Sequence, residues 1–236
     1  MFLTKAKDII LDILFPPLCL NCQKHLQNKN KFICDNCLIT VKFNNTLFCP
    51  ICRARLADNK RICHYDSQYL LAAAGNYDDL VLQNLIHYFK YKSFKNLAPI
   101  LGEILIKYLS NLSLSMVKSQ KSVVVPVPLH PRRERQRGFN QAKLIAEIVA
   151  KTFALELFVN MKRIKNNKPQ AKLKDSEMRI KNMAGCFKIE NPEQIRDKNI
   201  LLVDDVFTSG ATMNEAVKIL KANGAKRIIA LVIAKA

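Results

Sequence analysis

One thirteen-residue stretch, residues 200–212, limits the possible folds of this chain more than any other. Ile200-Leu201-Leu202-Val203 is followed by Asp204-Asp205, then by Val206-Phe207-Thr208-Ser209-Gly210-Ala211-Thr212. Four consecutive apolar residues without polar alternation describe a strand covered on both faces. That requires a mostly parallel sheet between helices. The two carboxylates then stand where the strand leaves the sheet, the side on which open α/β folds bind ligands. Adjacent carboxylates there accept hydrogen bonds from two vicinal sugar hydroxyls, or position a hydrated Mg²⁺. Thr208–Thr212 supplies consecutive backbone N–H donors, three hydroxyls and a glycine that lets the backbone close tightly. A helix beginning near Thr212 adds its positive end, and a phosphate dianion fits there. The unit reads as a holder for a phosphorylated sugar.

Three other readings compete. A Walker B strand needs a phosphate loop, and no G-x-x-x-x-G-K-[ST] occurs in the chain. A receiver-domain acidic pair opens its domain, whereas only 31 residues follow Asp205 in this chain of 236. The plainest alternative is a helix cap and turn, in which the acids and hydroxyls only satisfy backbone groups. A lone acid pair would fit it; the complete strand–acid pair–T-S-G-x-T order favours the ligand site.

The remaining text extends the α/β pattern. Strands are expected at Tyr69–Ala74, Ser122–Pro128, Cys186–Ile189, Ile200–Val203 and Arg227–Ile233. Helices are expected near Asp78–Lys90, Leu97–Leu109, Gly138–Thr152 and Thr212–Asn223, the last ending at Gly224. Residues 16–67 are instead rich in Cys, Asn and Lys with little periodicity. The expected organisation is therefore an N-terminal amphipathic helix over 1–15, a small module over 16–67 and an α/β domain over 68–236. No apolar run reaches bilayer length, so no transmembrane segment is expected. Asp8 and Asp12 interrupt the apolar positions of Met1–Leu14, which argues against a secretory leader and for a cytoplasmic protein. Net charge is +19, from 38 basic and 19 acidic side chains. That balance favours polyanionic partners, either nucleic acid or phosphorylated small molecules.

A second strand delivers a basic cluster. Val123–Pro128 runs into Leu129-His130-Pro131, then Arg132, Arg133, Arg135 and Arg137, then Gly138-Phe139-Asn140-Gln141. Arginine forks bind phosphate oxygens bidentately and stay charged at any relevant pH, which suits pyrophosphate or a nucleic-acid backbone. The competing reading is a solvated basic turn. Downstream, Arg163 and the lysine-rich 165–176 segment lead to Arg179 and Asn182. That segment is read either as a lid over a charged substrate or as a mobile surface loop.

Seven of the eight cysteines lie between Cys19 and Cys63. Cys19-x-x-Cys22 and Cys34-x-x-Cys37, eleven residues apart, give four thiolates in two knuckles, the arrangement of a tetrahedral zinc site. A small module with little apolar core needs such a metal in order to fold. Cys49-x-x-Cys52 and Cys63 begin a second set, to be completed by His64 or by Asp66, imidazole being the softer ligand. Cross-braced pairing of alternate knuckles fits the same spacings. Cys186 lies in an apolar stretch and reads as a buried small hydrophobe.

The Asp204–Thr212 unit resembles the signature by which type I phosphoribosyltransferases bind 5-phosphoribosyl diphosphate (PRPP). Together with Pro126–Gln141 and the Pro169-Gln170…Arg179…Asn182 element, it resembles the ComF family of competence-associated, phosphoribosyltransferase-like proteins. The similarity extends to Leu85–Lys92 and so to nearly the whole chain. It implies a double zinc ribbon before a type I phosphoribosyltransferase-like domain, and a role linked to DNA uptake in natural transformation. By this resemblance Asp204 and Asp205 hold the ribose hydroxyls, while Thr208, Ser209, Gly210, Ala211 and Thr212 cradle the 5′-phosphate. Arg132, Arg133, Arg137 and Arg179 are the implied catalytic residues, acting on the leaving pyrophosphate with Mg²⁺. His87 is expected on a helix surface, not in catalysis. The alternative class is a non-catalytic factor with a vestigial or regulatory PRPP site, binding single-stranded DNA or other competence proteins.

Overall fold

The computed structural model describes residues 16–56, 63–64, 66–92, 94–112, 114, 119, 121–167 and 176–236. The helix expected over Met1–Leu14 and most of the 165–176 segment lie outside them. The elements run α1 (Asp35–Ile39), β1 (Leu70–Asn76), α2 (Leu80–Tyr91), α3 (Ala98–Leu112), β2 (Ser122–Pro126), α4 (Pro131–Arg137), α5 (Gln141–Thr152), β3 (Glu156–Leu157), β4 (Met161–Arg163), α6 (Ser176–Met183), β5 (Phe187–Ile189), β6 (Asn199–Phe207), α7 (Ala211–Ala222) and β7 (Arg227–Lys235).

Five strands form one parallel sheet in the order β1-β7-β6-β2-β3, and β4 pairs antiparallel with β5 outside it. Consecutive residues of β6 explain the absence of alternation. Leu201 and Val203 join a core with Leu82, Ile86 and Phe89 of α2, Leu105 of α3 and Val149 of α5. Ile200 and Leu202 join a separate core with Met213, Val217 and Leu220 of α7 and with the β4–β5 pair. Each such fully buried aliphatic side chain is worth roughly 1.5–3 kcal/mol, and β6 contributes to both layers.

β2 and β6 are neighbours whose onward connections diverge, β2 leading out to β3 and β6 across to β7. A parallel sheet opens a crevice at such a point. Here β2 keeps register with β6 only to Pro126 opposite Val203. Pro128 then carries the chain away, lacking the N–H that would continue the ladder. On its other side β6 stays paired, with Asp204 opposite Val232 and Phe207 opposite Lys235. Asp204 and Asp205 therefore lie within the strand and not beyond its end, because β7 continues alongside them after β2 has left.

The cysteine module covers the free edge of β1. Phe48 and Leu71 exchange backbone hydrogen bonds of 2.8 and 3.0 Å, and the Asn44 N–H donates to Ala74. Leu26, Ile33, Val41, Leu47 and Leu56 of the module are buried in the same core as α2 and α3. A row of unpaired strand groups is thereby paired and shielded.

Candidate functional site

Twenty-three of the described residues line an open cavity of about 420 Å³ at the β2–β6 crevice. The acid pair, the whole of Thr208–Thr212, and Arg133, Arg137 and Arg179 are among them. Gly210 has φ +79°, and a Cβ there would stand 2.9 Å from the Phe207 ring. Only glycine takes both that left-handed backbone and that close approach without strain. The glycine N-caps α7, so the first turn of a twelve-residue helix opens behind the loop. Unpaired N–H groups and the positive helix end face the same place.

Asp205 is buried and forms an ion pair with Lys90 of α2, Nζ to Oδ1 at 2.8 Å. Burial works against the Lys90 ammonium, but the charge and hydrogen bond of Asp205, with Asp204 and Tyr91 adding to them, together outweigh it and the lysine's pKa ends above its ordinary value. Asp204 is half-buried and accepts the Asp205 N–H at 2.8 Å. Burial and the adjacent Asp205 charge push its carboxyl up to about 7, against the opposing pull of Lys90. Two acids in one crevice thus differ, one neutralised by a lysine and one titrating near neutrality. Their oxygens suit sugar hydroxyls or a hard cation such as Mg²⁺.

Across the cavity, the basic stretch is a helix where a turn was expected. His130 Nδ1 accepts the Arg132 N–H at 3.2 Å, Pro131 occupies the first turn, and Gly138 ends α4 at φ +81°. Helical spacing puts Arg133 and Arg137, four residues apart, on one face toward the cavity. Arg132 is turned off that face; it is exposed and absent from the cavity lining, so the structure does not bring this expected catalytic residue to the site. Arg163 enters instead, only 7% exposed, with its guanidinium 5.9 Å from the Phe187 ring centre and its Nε without a partner. Burial lowers the pKa of Arg133, and the charges of Arg163 and Arg137 lower it further. Like charges gathered at the cost of mutual repulsion suit an anionic ligand. Phe139 is buried against Phe89, ring centres 5.2 Å apart, and does not face solvent among the arginines.

The cysteines fall into two groups in sequence order, not cross-braced. The ligand atoms of Cys19, Cys22, Cys34 and Cys37 lie within 4.8 Å of one another, as do those of Cys49, Cys52, Cys63 and His64. Both sets gather four N/S donors close together and fit Zn²⁺. His64 completes the second group and Asp66 is not part of it. Cys186 is buried, as its apolar surroundings in the sequence suggested.

The phosphoribosyl transferase domain family model matches residues 140–236, and the double zinc ribbon domain model matches residues 10–65. Competence protein ComFC of Bacillus subtilis is 27% identical over 88% of this chain and 79% of its own length. Competence protein F of Haemophilus influenzae is 26% identical, over 89% of this chain and 93% of that protein. DNA utilization protein YhgH of Escherichia coli K12 is 26% identical over 90% and 94%, respectively. The chain belongs to the ComF family.

Two cavity residues of this ComF protein carried signals that the sequence reading did not use. Lys90 follows Leu82 and Ile86 at four-residue steps, which places a lysine in line with the buried face of α2. Arg163 shares a strand face with buried Met161, two positions away. A charged residue in step with buried neighbours is either paired or waiting for a ligand. Among the described residues no helix is long and apolar enough to cross a membrane.

Proposed function

We propose that this cavity binds Mg²⁺–PRPP and that the protein is a cytoplasmic phosphoribosyltransferase serving DNA uptake or use, with its ribbon ending near residue 67. The observation that carries the reading is the opposition, across one cavity, of an acid pair with a phosphate-sized loop and a group of arginines. The 5′-phosphate sits on Ser209–Thr212 and the start of α7, and the ribose hydroxyls donate to Asp204 and Asp205. The diphosphate faces Arg133, Arg137, Arg163 and Arg179. A nitrogen lone pair attacks C1, the C1–O bond breaks with its electrons on the departing diphosphate, and the nitrogen's proton passes to solvent. Charge builds on the sugar and on the leaving group, so the acids steady the first and the arginines the second. Asp204 and Asp205 would hold Mg²⁺, which would supply further neutralisation of the diphosphate. No side chain has to act as a proton shuttle.

Calorimetry with Mg²⁺–PRPP tests this. Wild type is expected to bind, and an Asp204→Asn/Asp205→Asn variant to lose about a hundredfold or more in affinity. Absence of binding by folded wild type sinks the proposal.

The net charge of +19 and the names of the relatives favour a second reading, a single-strand DNA-binding factor with a non-catalytic PRPP site. Salt-dependent affinity for single-stranded DNA that PRPP leaves unchanged is its expected signature.

A further inference from the structure

The first knuckle of each metal group, Cys19–Cys22 and then Cys49–Cys52, makes the same turn. Gln23, directly after Cys22, has φ +59°, and its N–H donates to Cys19; Arg53, directly after Cys52, has φ +61°, and its N–H donates to Cys49. Neither residue is a glycine, so the left-handed backbone is strained at each. Four ligands gathered around one point over-determine it. The turn belongs to metal ligation, and what each knuckle does with the projecting side chain is a separate matter.

At the Cys49–Cys52 knuckle that side chain reaches the phosphate loop. Arg53 Nη2 donates to the Thr208 carbonyl at 2.6 Å, while Nη1 donates to the Ala236 carbonyl. Its guanidinium lies 6.0 Å from the centre of the Phe207 ring, the ring that Gly210 leaves room for. Ala236 in turn donates its N–H to the Phe207 carbonyl. One arginine therefore clasps the end of β6, the end of β7 and the first residue of the loop.

The Thr208 carbonyl and the Ser209 N–H belong to one trans peptide and point in opposite directions. Drawing the carbonyl toward Arg53 turns the Ser209 N–H the other way. The clasp thus sets the direction of an anion-binding donor without touching the anion. A second link supports the same segment: Tyr69, at the junction of ribbon and sheet, donates its hydroxyl to Asn214 Oδ1 at 2.6 Å, and the Asn214 N–H donates to the Gly210 carbonyl.

We infer that Arg53 is a positioning residue of the phosphoribosyl site and that it couples metal occupancy at Cys49, Cys52, Cys63 and His64 to affinity for the 5′-phosphate ligand. The inference rests on the PRPP reading above and gives the second metal group a role beyond folding. Losing that metal frees the turn, the turn releases Arg53, and the loop no longer presents its donors in one arrangement. Linkage is reciprocal, so the bound phosphate ligand also holds the metal.

The experiment measures two equilibria on the full zinc-loaded chain. Mg²⁺–PRPP affinity is measured by calorimetry for wild type, Arg53→Ala and Arg53→Lys, with zinc content and melting temperature as controls. Zinc release to a chromogenic chelator is timed with and without Mg²⁺–PRPP. Arg53→Ala is expected to bind about tenfold more weakly at unchanged zinc content, the loss of one charged anchor. Arg53→Lys keeps the charge without the fork and is expected to recover only part of this. Mg²⁺–PRPP is expected to slow release of one zinc from wild type and to have no such effect in Arg53→Ala, a readout that a structural role alone would not move. If wild type binds PRPP but Arg53→Ala binds equally well, or the ligand leaves zinc release unchanged, the coupling is overturned and the PRPP site stands. If wild type gives no binding, the PRPP reading falls, and the coupling with it.

Discussion

Asp204 carries a pH signature close to neutrality. Its carboxyl is raised from 3.8 to about 7 by burial and by the neighbouring Asp205. An acid whose pKa rises on folding contributes stability that is complete below the unfolded value and is lost as pH climbs through the folded one. The neutral Asp204→Asn chain, which keeps an oxygen to accept the Asp205 N–H, is expected to be more stable than wild type at pH 8 by roughly 1–3 kcal/mol. The difference should vanish near pH 4, and denaturant titrations at the two pH values check it. A ligand that needs the ionised form must displace a proton, so Mg²⁺–PRPP affinity is expected to fall as pH drops below about 7. Calorimetry in two buffers of different ionisation enthalpy counts that proton. Asp205 already has the Lys90 cation at 2.8 Å, and the division of labour between adjacent acids follows from that one contact.

At the scale of elements, the unit β6–loop–α7 joins a buried strand to a helix start without a side-chain cap through a single glycine turn. Gly210 is the position where substitution tests this. Gly210→Ala meets both the left-handed backbone, φ +79°, and the Phe207 ring at 2.9 Å. It is expected to cost about 1–3 kcal/mol of stability and to weaken phosphate-ligand binding at least tenfold. Thermal melts and calorimetry report the two losses, and an alanine variant with unaltered affinity would show that the loop tolerates another shape. Helix α4 makes the complementary point. Proline at its start, the His130 cap and Gly138 at its end turn seven basic-rich residues into a helix, and the four-residue step then selects Arg133 and Arg137 for the cavity over Arg132.

For the whole molecule, the ribbon module is part of the core, not an appendage. Its Leu47 and Val41 pack with α2 and α3, its Phe48 pairs with β1, and the Tyr108 hydroxyl of α3 donates to the Thr46 carbonyl at 2.6 Å. Metal removal should therefore act far from the cysteines. Chelation is expected to lower the melting of the α/β helical signal by roughly 5–10 °C and to expose the β1 edge to aggregation. Release should be stepwise, with the second group emptying first, because its Cys52 and Cys63 are exposed while Cys19 and Cys37 of the first are buried. An α/β signal that melts unchanged in chelator would show that the module and sheet are energetically separate.

The sequence by itself determined the layered α/β sheet, the metal knuckles and the identity of the loop beside Asp204 and Asp205. Those features are local in the chain: an unbroken apolar run, paired cysteines three residues apart, and a glycine where a phosphate-sized turn must close. Only the tertiary structure decided which distant groups face that loop. Lys90 and Arg163 stand in step with buried neighbours along the chain, but what they face is decided only when α2 and β4 pack, and Arg132 looks equal to Arg133 until the basic stretch coils. Asp204 and Asp205 seemed to end a strand because a sequence does not show that β2 leaves β6 at Val203 while β7 continues beside it. Arg53 is 155 residues from the carbonyl it holds, and no periodicity or spacing encodes that approach. Long-range pairings arise from packing two faces of one sheet and closing its edge, so they become visible only once the chain has folded.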